Sequence, residues 1–158
     1  MLKTQKLTHN MMVALNLHLP NEDGPSLEGV QKINFKLLKS LVEEERVEFY
    51  NAMQRLQNAS HLIDDSGTLV WVRAEKKKAL EEAWAEVIDA MCDIIVVVHN
   101  TSTAMGIDLE PFFDEVHRTN MLKADGPLRA DGKRLKPPDW QPPRILEMLR
   151  ELLEKKNV

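Results

Sequence analysis

Apolar residues along this chain recur at helical spacing and nowhere alternate for long enough to make a strand. Leu37, Leu38, Leu41, Val42, Phe49 and Leu56 follow one stripe, and Ser26 stands just after the break Pro20–Pro25 (PNEDGP) as a helix-capping residue. The pattern predicts a first long helix from Ser26 to about Asn58. The polar stretch from Ser60 to Thr68, with the LVWV that follows, reads as a loop. A second long helix is predicted from about Arg73 to Met105, closed by Gly106 at the left-handed cap position, and a third from about Leu109 to Lys123. Residues 126–143, GPLRADGKRLKPPDWQPP, hold two Gly and five Pro and cannot be regular for most of their length, so they should cross the surface as a strap. The last segment, Arg144 to Lys155, gathers Ile145, Met148, Leu149 and Leu152 on one face, as a helix docked on the body or on a partner subunit would.

These elements define an all-α protein whose stripes are best buried in an antiparallel helical bundle. The apolar faces are generous for one small chain, so oligomerisation is expected to complete the bundle. At 158 residues the chain is expected to be a single domain, with a core over about 26–123, the strap at 124–143 and the terminal helix at 144–155. Hydrophobic residues at 43% and charged ones at 29% exclude disorder. The longest apolar run, Ile94 to Val98, falls far short of the roughly 20 residues of a membrane span, and MLKTQKLTHN lacks a signal-peptide pattern, which leads us to expect a cytoplasmic protein without a membrane partner. Cys92 stands alone, which excludes an internal disulfide and a Cys-based zinc site within one chain. A net charge of −4 speaks against general nucleic-acid binding, yet residues 117–136 concentrate six Lys or Arg against two Asp, a local anion site.

The chemistry lies in the carboxylates. Glu43, Glu44, Glu45 and Glu48 belong to an EEERVE run that would ordinarily be a solvated helix face. Glu45, however, falls seven residues after Leu38 and four after Leu41, continuing the apolar stripe, and Glu48 is one turn beyond Glu44. On the second helix Glu86, Asp89 and Asp93 share an arc of roughly 60°. That helix turns apolar nearly all round where Val96 and Val97 flank Asp93, so Asp93 is expected to be enclosed. Ionised carboxylates facing one another in a partly buried place repel unless a cation holds them. An all-oxygen donor set favours a hard ion, Mg²⁺ or Mn²⁺, which typically bridges protein carboxylates and substrate phosphates.

Glu44-Glu45-Arg46-Val47-Glu48 forms an EExxE and Glu86-Val87-Ile88-Asp89 an ExxD on the next helix. With these motifs the chain resembles the MazG-like, all-α NTP pyrophosphohydrolases, the superfamily that includes dimeric dUTPases and phosphoribosyl-ATP pyrophosphohydrolase. EVHRxNxxK (Glu115 to Lys123) and DGKxLKPxxW (Asp131 to Trp140) are similar to the branch related to the Deinococcus dUTP pyrophosphatase. The resemblance covers residues 30–143, with residues 57–73 as an expanded loop. It implies a nucleoside triphosphate pyrophosphohydrolase that cuts the α-β phosphoanhydride bond of a (deoxy)nucleotide, dUTP or another dNTP such as dGTP, to monophosphate and pyrophosphate in nucleotide-pool control. It also implies a homodimer or homotetramer. Glu44, Glu45 and Glu48 would bind metal with acidic groups of the second helix, and Glu45 or Glu48 would serve as general base. In some relatives an ExxD ends at the position of Asp93; here Ala90 stands where its Glu would be and Asp89 lies one residue earlier. Glu86, Asp89 and Asp93 are therefore carried as a set.

For the substrate's phosphates the candidates are Arg118, Asn120 and Lys123 at the end of the third helix, and Lys133 and Lys136 in the strap, with His117 beside Asn120. Trp140 reads as a packing anchor for the Pro-rich strap. His18, Asn34 and Phe35 are positional candidates for a base pocket. Two other readings compete. A ferritin-type di-metal protein would need Glu-x-x-His pairs, which do not occur. A non-enzymatic helical interaction module with a solvated acidic cluster predicts no metal dependence and no nucleotide hydrolysis.

Overall fold

The computed structural model describes residues 1–17, 19–61 and 70–156, with only the backbone for Val70, Trp71 and Lys156. Six α-helices are present among them: α1 (Lys3–Ala14), α2 (Leu27–Gln31), α3 (Phe35–Ser60), α4 (Val70–Ala104), α5 (Leu109–Met121), which runs on into a 3-10 turn over Leu122–Asp125, and α6 (Ile145–Lys156). No strand occurs among the described residues, only an isolated antiparallel bridge between Leu128 and Arg134 in the strap. The protein is all-α, as its periodicity predicts.

The predicted first helix is interrupted. Ser26 caps as expected, its Oγ accepting from the Gly29 N–H at 2.9 Å, but α2 stops after Gln31 and the chain restarts at Asn34. Asn34 Oδ1 accepts from the Leu37 N–H at 3.1 Å, a second cap of the kind that stabilises a helix start by about 1 kcal/mol. Residues 57–60, placed by sequence in an expanded loop, continue α3, and Val70 to Val72, read as loop, already belong to α4. The rest of the predicted loop, residues 62–69, lies outside the described residues. Gly106 does close α4, at φ +68; a Cβ there would stand 2.3 Å from the Asn21 carbonyl oxygen.

The chain divides into two compact units, one of Asn34–Thr101 and one of Met1–Ile33 with Ser102–Val158. The first is an antiparallel pair, α3 and most of α4. On α3, Leu38, Leu41, Glu45, Phe49, Ala52, Leu56 and Ala59 follow one another in steps of three or four and are the inward positions. On α4 the corresponding seam is Leu80, Ala83, Val87, Ala90, Ile94 and Val97. Phe49 and Leu56 pack on a buried centre of Ala52, Val87 and Ala90. The same helix leaves Trp84, Ile88, Met91, Ile95 and Val98, again in steps of four and three, 42–59% exposed. An 18-residue window of α4 reaches a mean hydropathy of 1.2, enough by length and composition to cross a membrane, although no single run of the sequence suggests it; a buried core helix has the same character.

The second unit is organised by buried polar side chains. Gln5, on α1, is 1% exposed; its Nε2 donates to Ile107 O at 2.6 Å and its Oε1 accepts from Leu109 N–H at 3.0 Å, which fastens α1 to the start of α5. Asn21 Nδ2 donates to Ala104 O at 2.9 Å, tying the PNEDGP turn to the end of α4. Ile145 and Leu149 of α6 line an apolar recess with Phe112, Phe113 and Val116 of α5. Glu115, 7% exposed, accepts from Arg118 Nε at 2.8 Å and from the backbone N–H of Arg144 at 3.1 Å, joining α5 to the head of α6.

Candidate active site

The carboxylates stand on the α3–α4 pair. Glu45 takes an inward position of the α3 seam and is half-buried, whereas Glu43, Glu44 and Glu48 are exposed. On α4, Glu86, Asp89 and Asp93 each come one residue before a seam residue, Val87, Ala90 and Ile94, so an acidic stripe runs alongside the apolar one. Asp93 is half-buried and Asp89 and Glu86 are exposed. Complete enclosure of Asp93, which the neighbouring valines suggest, is not reached: only Val97 is fully buried, and Ile95 and Val98 face outward.

Glu45 faces the acidic groups of α4. Its carboxyl is pushed above the ordinary range first by burial, then by the charge of Asp93, and further by Glu48, Glu44 and Asp89. Glu86 has no part in this field. It pairs with Arg55, two turns and more further along α3, where both side chains are about half exposed. Glu43 is likewise drawn away, its carboxyl lowered by the hydrogen bond from Arg46. Asp93, Glu48, Glu44 and Asp89 thus bear on Glu45 while Glu86 is engaged by Arg55, and among the described residues none of Glu44, Glu45, Glu48, Asp89 and Asp93 has a Lys or Arg within ion-pairing distance. Arg55 was not singled out by sequence; Glu–Arg pairs between helices leave no local spacing to read.

A hard divalent cation suits this donor set: oxygen-only ligands, mutually repelling, partly desolvated and without a cationic partner. In the positions they take, no three His, Cys, Asp or Glu side chains among the described residues already converge as a coordination shell. Of the five, Glu44, Glu48 and Asp89 are exposed and Glu45 and Asp93 half-buried.

The basic candidates lie in the other unit. Arg118 gives its guanidinium to Glu115, holding that carboxyl down at about 2 with help from the Arg144 N–H, so its first role is to join helices. Asn120 and Lys123 are neighbours, Lys123 Nζ donating to Asn120 Oδ1 at 2.6 Å. Lys133 and Lys136 are exposed on the strap. Of the base-pocket candidates, Asn34 spends its side-chain oxygen on the α3 cap, Phe35 is 42% exposed, and His18 lies outside the described residues.

The candidate site is thus a set of carboxylates on two facing helices of an all-α chain. Compared with protein families, residues 23–120 match phosphoribosyl-ATP pyrophosphohydrolase, and the chain belongs to that family, within the MazG-like all-α NTP pyrophosphohydrolase superfamily. The family points to hydrolysis of a phosphoanhydride bond in a nucleotide and is typically dependent on a divalent metal. No curated protein matches the chain significantly.

Proposed function

We propose that the chain is a Mg²⁺-dependent (Mn²⁺-compatible) nucleoside triphosphate pyrophosphohydrolase releasing a nucleoside monophosphate and pyrophosphate, and that the α3–α4 carboxylates are its centre. The observation that carries this reading is the half-buried Glu45 facing Asp93 and Asp89 with no basic partner. Glu44, Glu45, Glu48, Asp89 and Asp93 would hold the ion, which supplies charge neutralisation at the phosphates and acidification of a water. Glu86, engaged by Arg55, acts only from behind them. Water attacks the α-phosphorus; the new O–P bond forms as the α-β bridging bond breaks, and pyrophosphate leaves with the bridging oxygen. Glu45 or Glu48 takes the proton of that water.

Asn120, Lys123, Lys133 and Lys136 are the proposed phosphate contacts, with Arg118 a weaker candidate because Glu115 occupies it. We read residues 1–158 as one functional domain acting in the cytoplasm, without stable nucleic-acid or membrane binding. The exposed α4 seam of Trp84, Ile88, Met91, Ile95 and Val98 supports a homodimer or homotetramer, since that spacing is what a facing helix packs into.

Hydrolysis in ¹⁸O-labelled water tests the reaction. Label in the nucleoside monophosphate, with pyrophosphate unlabelled, is the expected outcome; label in orthophosphate or pyrophosphate would overturn attack at the α-phosphorus.

A further inference from the structure

The structure divides the basic residues of α5 and the strap by what they touch. Arg118 and Arg144 serve Glu115, and Arg129 serves Asp131 in the turn of the strap. Lys123 and Lys136 differ. Neither has a carboxylate within ion-pairing distance among the described residues, and instead both ammonium groups lie over the indole of Trp140, Lys136 Nζ at 3.8 Å and Lys123 Nζ at 5.6 Å from the ring centroid.

Trp140 is itself fixed in place. Its Nε1–H donates to Thr119 O at 2.9 Å, on α5, and its backbone N–H to Pro137 O at 3.1 Å. The strap leaves the end of α5, reverses through Arg129 N–H to Lys133 O at 2.8 Å and Leu135 N–H to Pro127 O at 2.9 Å, and returns along the same helix. Arg134 closes the reversal by donating to Gly126 O at 2.9 Å. In this way Trp140 delivers a lysine of the strap to a lysine of the 3-10 turn.

Two ammonium groups held within about 10 Å of each other, one Debye length at ordinary ionic strength, repel. A ring face attracts each of them without cancelling either charge. Asn120, which accepts from Lys123, still has its amide NH₂ to donate. Two uncancelled cations and an amide donor on one support suit a multiply charged anion.

We propose that Trp140 is a positioning residue that gathers Lys123 and Lys136 into one site for the polyphosphate chain of a nucleotide. The identity of the anion rests on the hydrolase reading above; the lysine pair and its ring do not. A single phosphate can satisfy one ammonium, whereas a polyphosphate satisfies both, so the site discriminates by chain length.

The test is calorimetric binding of inorganic tripolyphosphate and of orthophosphate to the full chain in EDTA, which removes divalent ions from the measurement. Tripolyphosphate should bind more tightly than orthophosphate. Lys136→Met and Trp140→Leu should each weaken it roughly fivefold or more, and Trp140→Phe, which keeps a ring face, should stay within about twofold of the parent. In turnover, Trp140→Leu should raise KM with little change in kcat. Lys136 is exposed, so Lys136→Met carries the test if Trp140→Leu does not fold. Absent tripolyphosphate binding, unchanged binding in both variants, or a folded Trp140→Phe as weak as Trp140→Leu would overturn the proposal. The expected binding pattern in a protein that hydrolyses no nucleotide would uphold the site and defeat the hydrolase reading instead.

Discussion

Glu45 on α3 looks across at Asp93 on α4, and after burial itself the charge of Asp93 is the largest cause that lifts the Glu45 carboxyl above its ordinary range. Keeping such a pair ionised costs the folded protein stability. Glu45→Gln is therefore expected to raise the melting temperature in EDTA, by about 1–3 °C. The same change should abolish the further rise that Mg²⁺ gives the parent and lower kcat at least about 100-fold. Thermal melts with and without Mg²⁺ check it; a less stable variant in EDTA would show that the pair is not repulsive.

The acidic residues of α4 should not be equivalent. Asp93→Asn and Asp89→Asn are expected to lower kcat about 100-fold or more, since each is part of the field around Glu45. Glu86→Gln breaks an exposed ion pair with Arg55, worth about 0.2–1 kcal/mol, and should change kcat less than about threefold. Parallel steady-state kinetics decide; equal losses at Asp93 and Glu86 would return Glu86 to the centre.

Much of this arrangement was legible in the sequence, because helix registers are. The stripe Leu38, Leu41, Glu45 placed a carboxylate on the inward side of α3, and the spacing of Glu86, Asp89 and Asp93 put them on one face of α4. What separates Glu86 from the other two is Arg55, a partner on another helix that no periodicity announces. Helix α1 went unread for a different reason: its inward face is Gln5, Thr8 and Met12, and a buried glutamine is hidden from an apolar stripe because hydrogen bonds, not hydrophobicity, hold it. The break between α2 and α3 was missed because Asn34 caps through its side chain within an otherwise helical pattern.

Glu115 gives the second unit an acid-sensitive joint. Its folded pKa of about 2 lies below the ordinary carboxylate value, so its contribution is fully present above about pH 4.5 and is lost as pH falls toward 2. Glu115→Gln should be less stable than the parent at pH 7, with the difference shrinking as acid is added over that window. Urea melts at several pH values measure this, and a difference independent of pH would remove Glu115 from that role.

The exposed seam of α4 gives a test of assembly. Ile88→Lys places a charge at its middle and is expected to turn a dimer or tetramer into a monomer in sedimentation at micromolar concentration. A parent that already sediments as a monomer would rule out the seam as a contact.

Pyrophosphate release from a panel of common and modified (d)NTPs, with and without Mg²⁺, bears most directly on the central claim that the facing carboxylates of α3 and α4 are a phosphoanhydride-cutting centre. Selective, Mg²⁺-dependent release that disappears in Glu45→Ala and Glu48→Ala is the expected result and names the substrate. Release from no nucleotide, in a protein shown not to bind Mg²⁺ or Mn²⁺, would contradict it and leave a helical interaction module with a solvated acidic face.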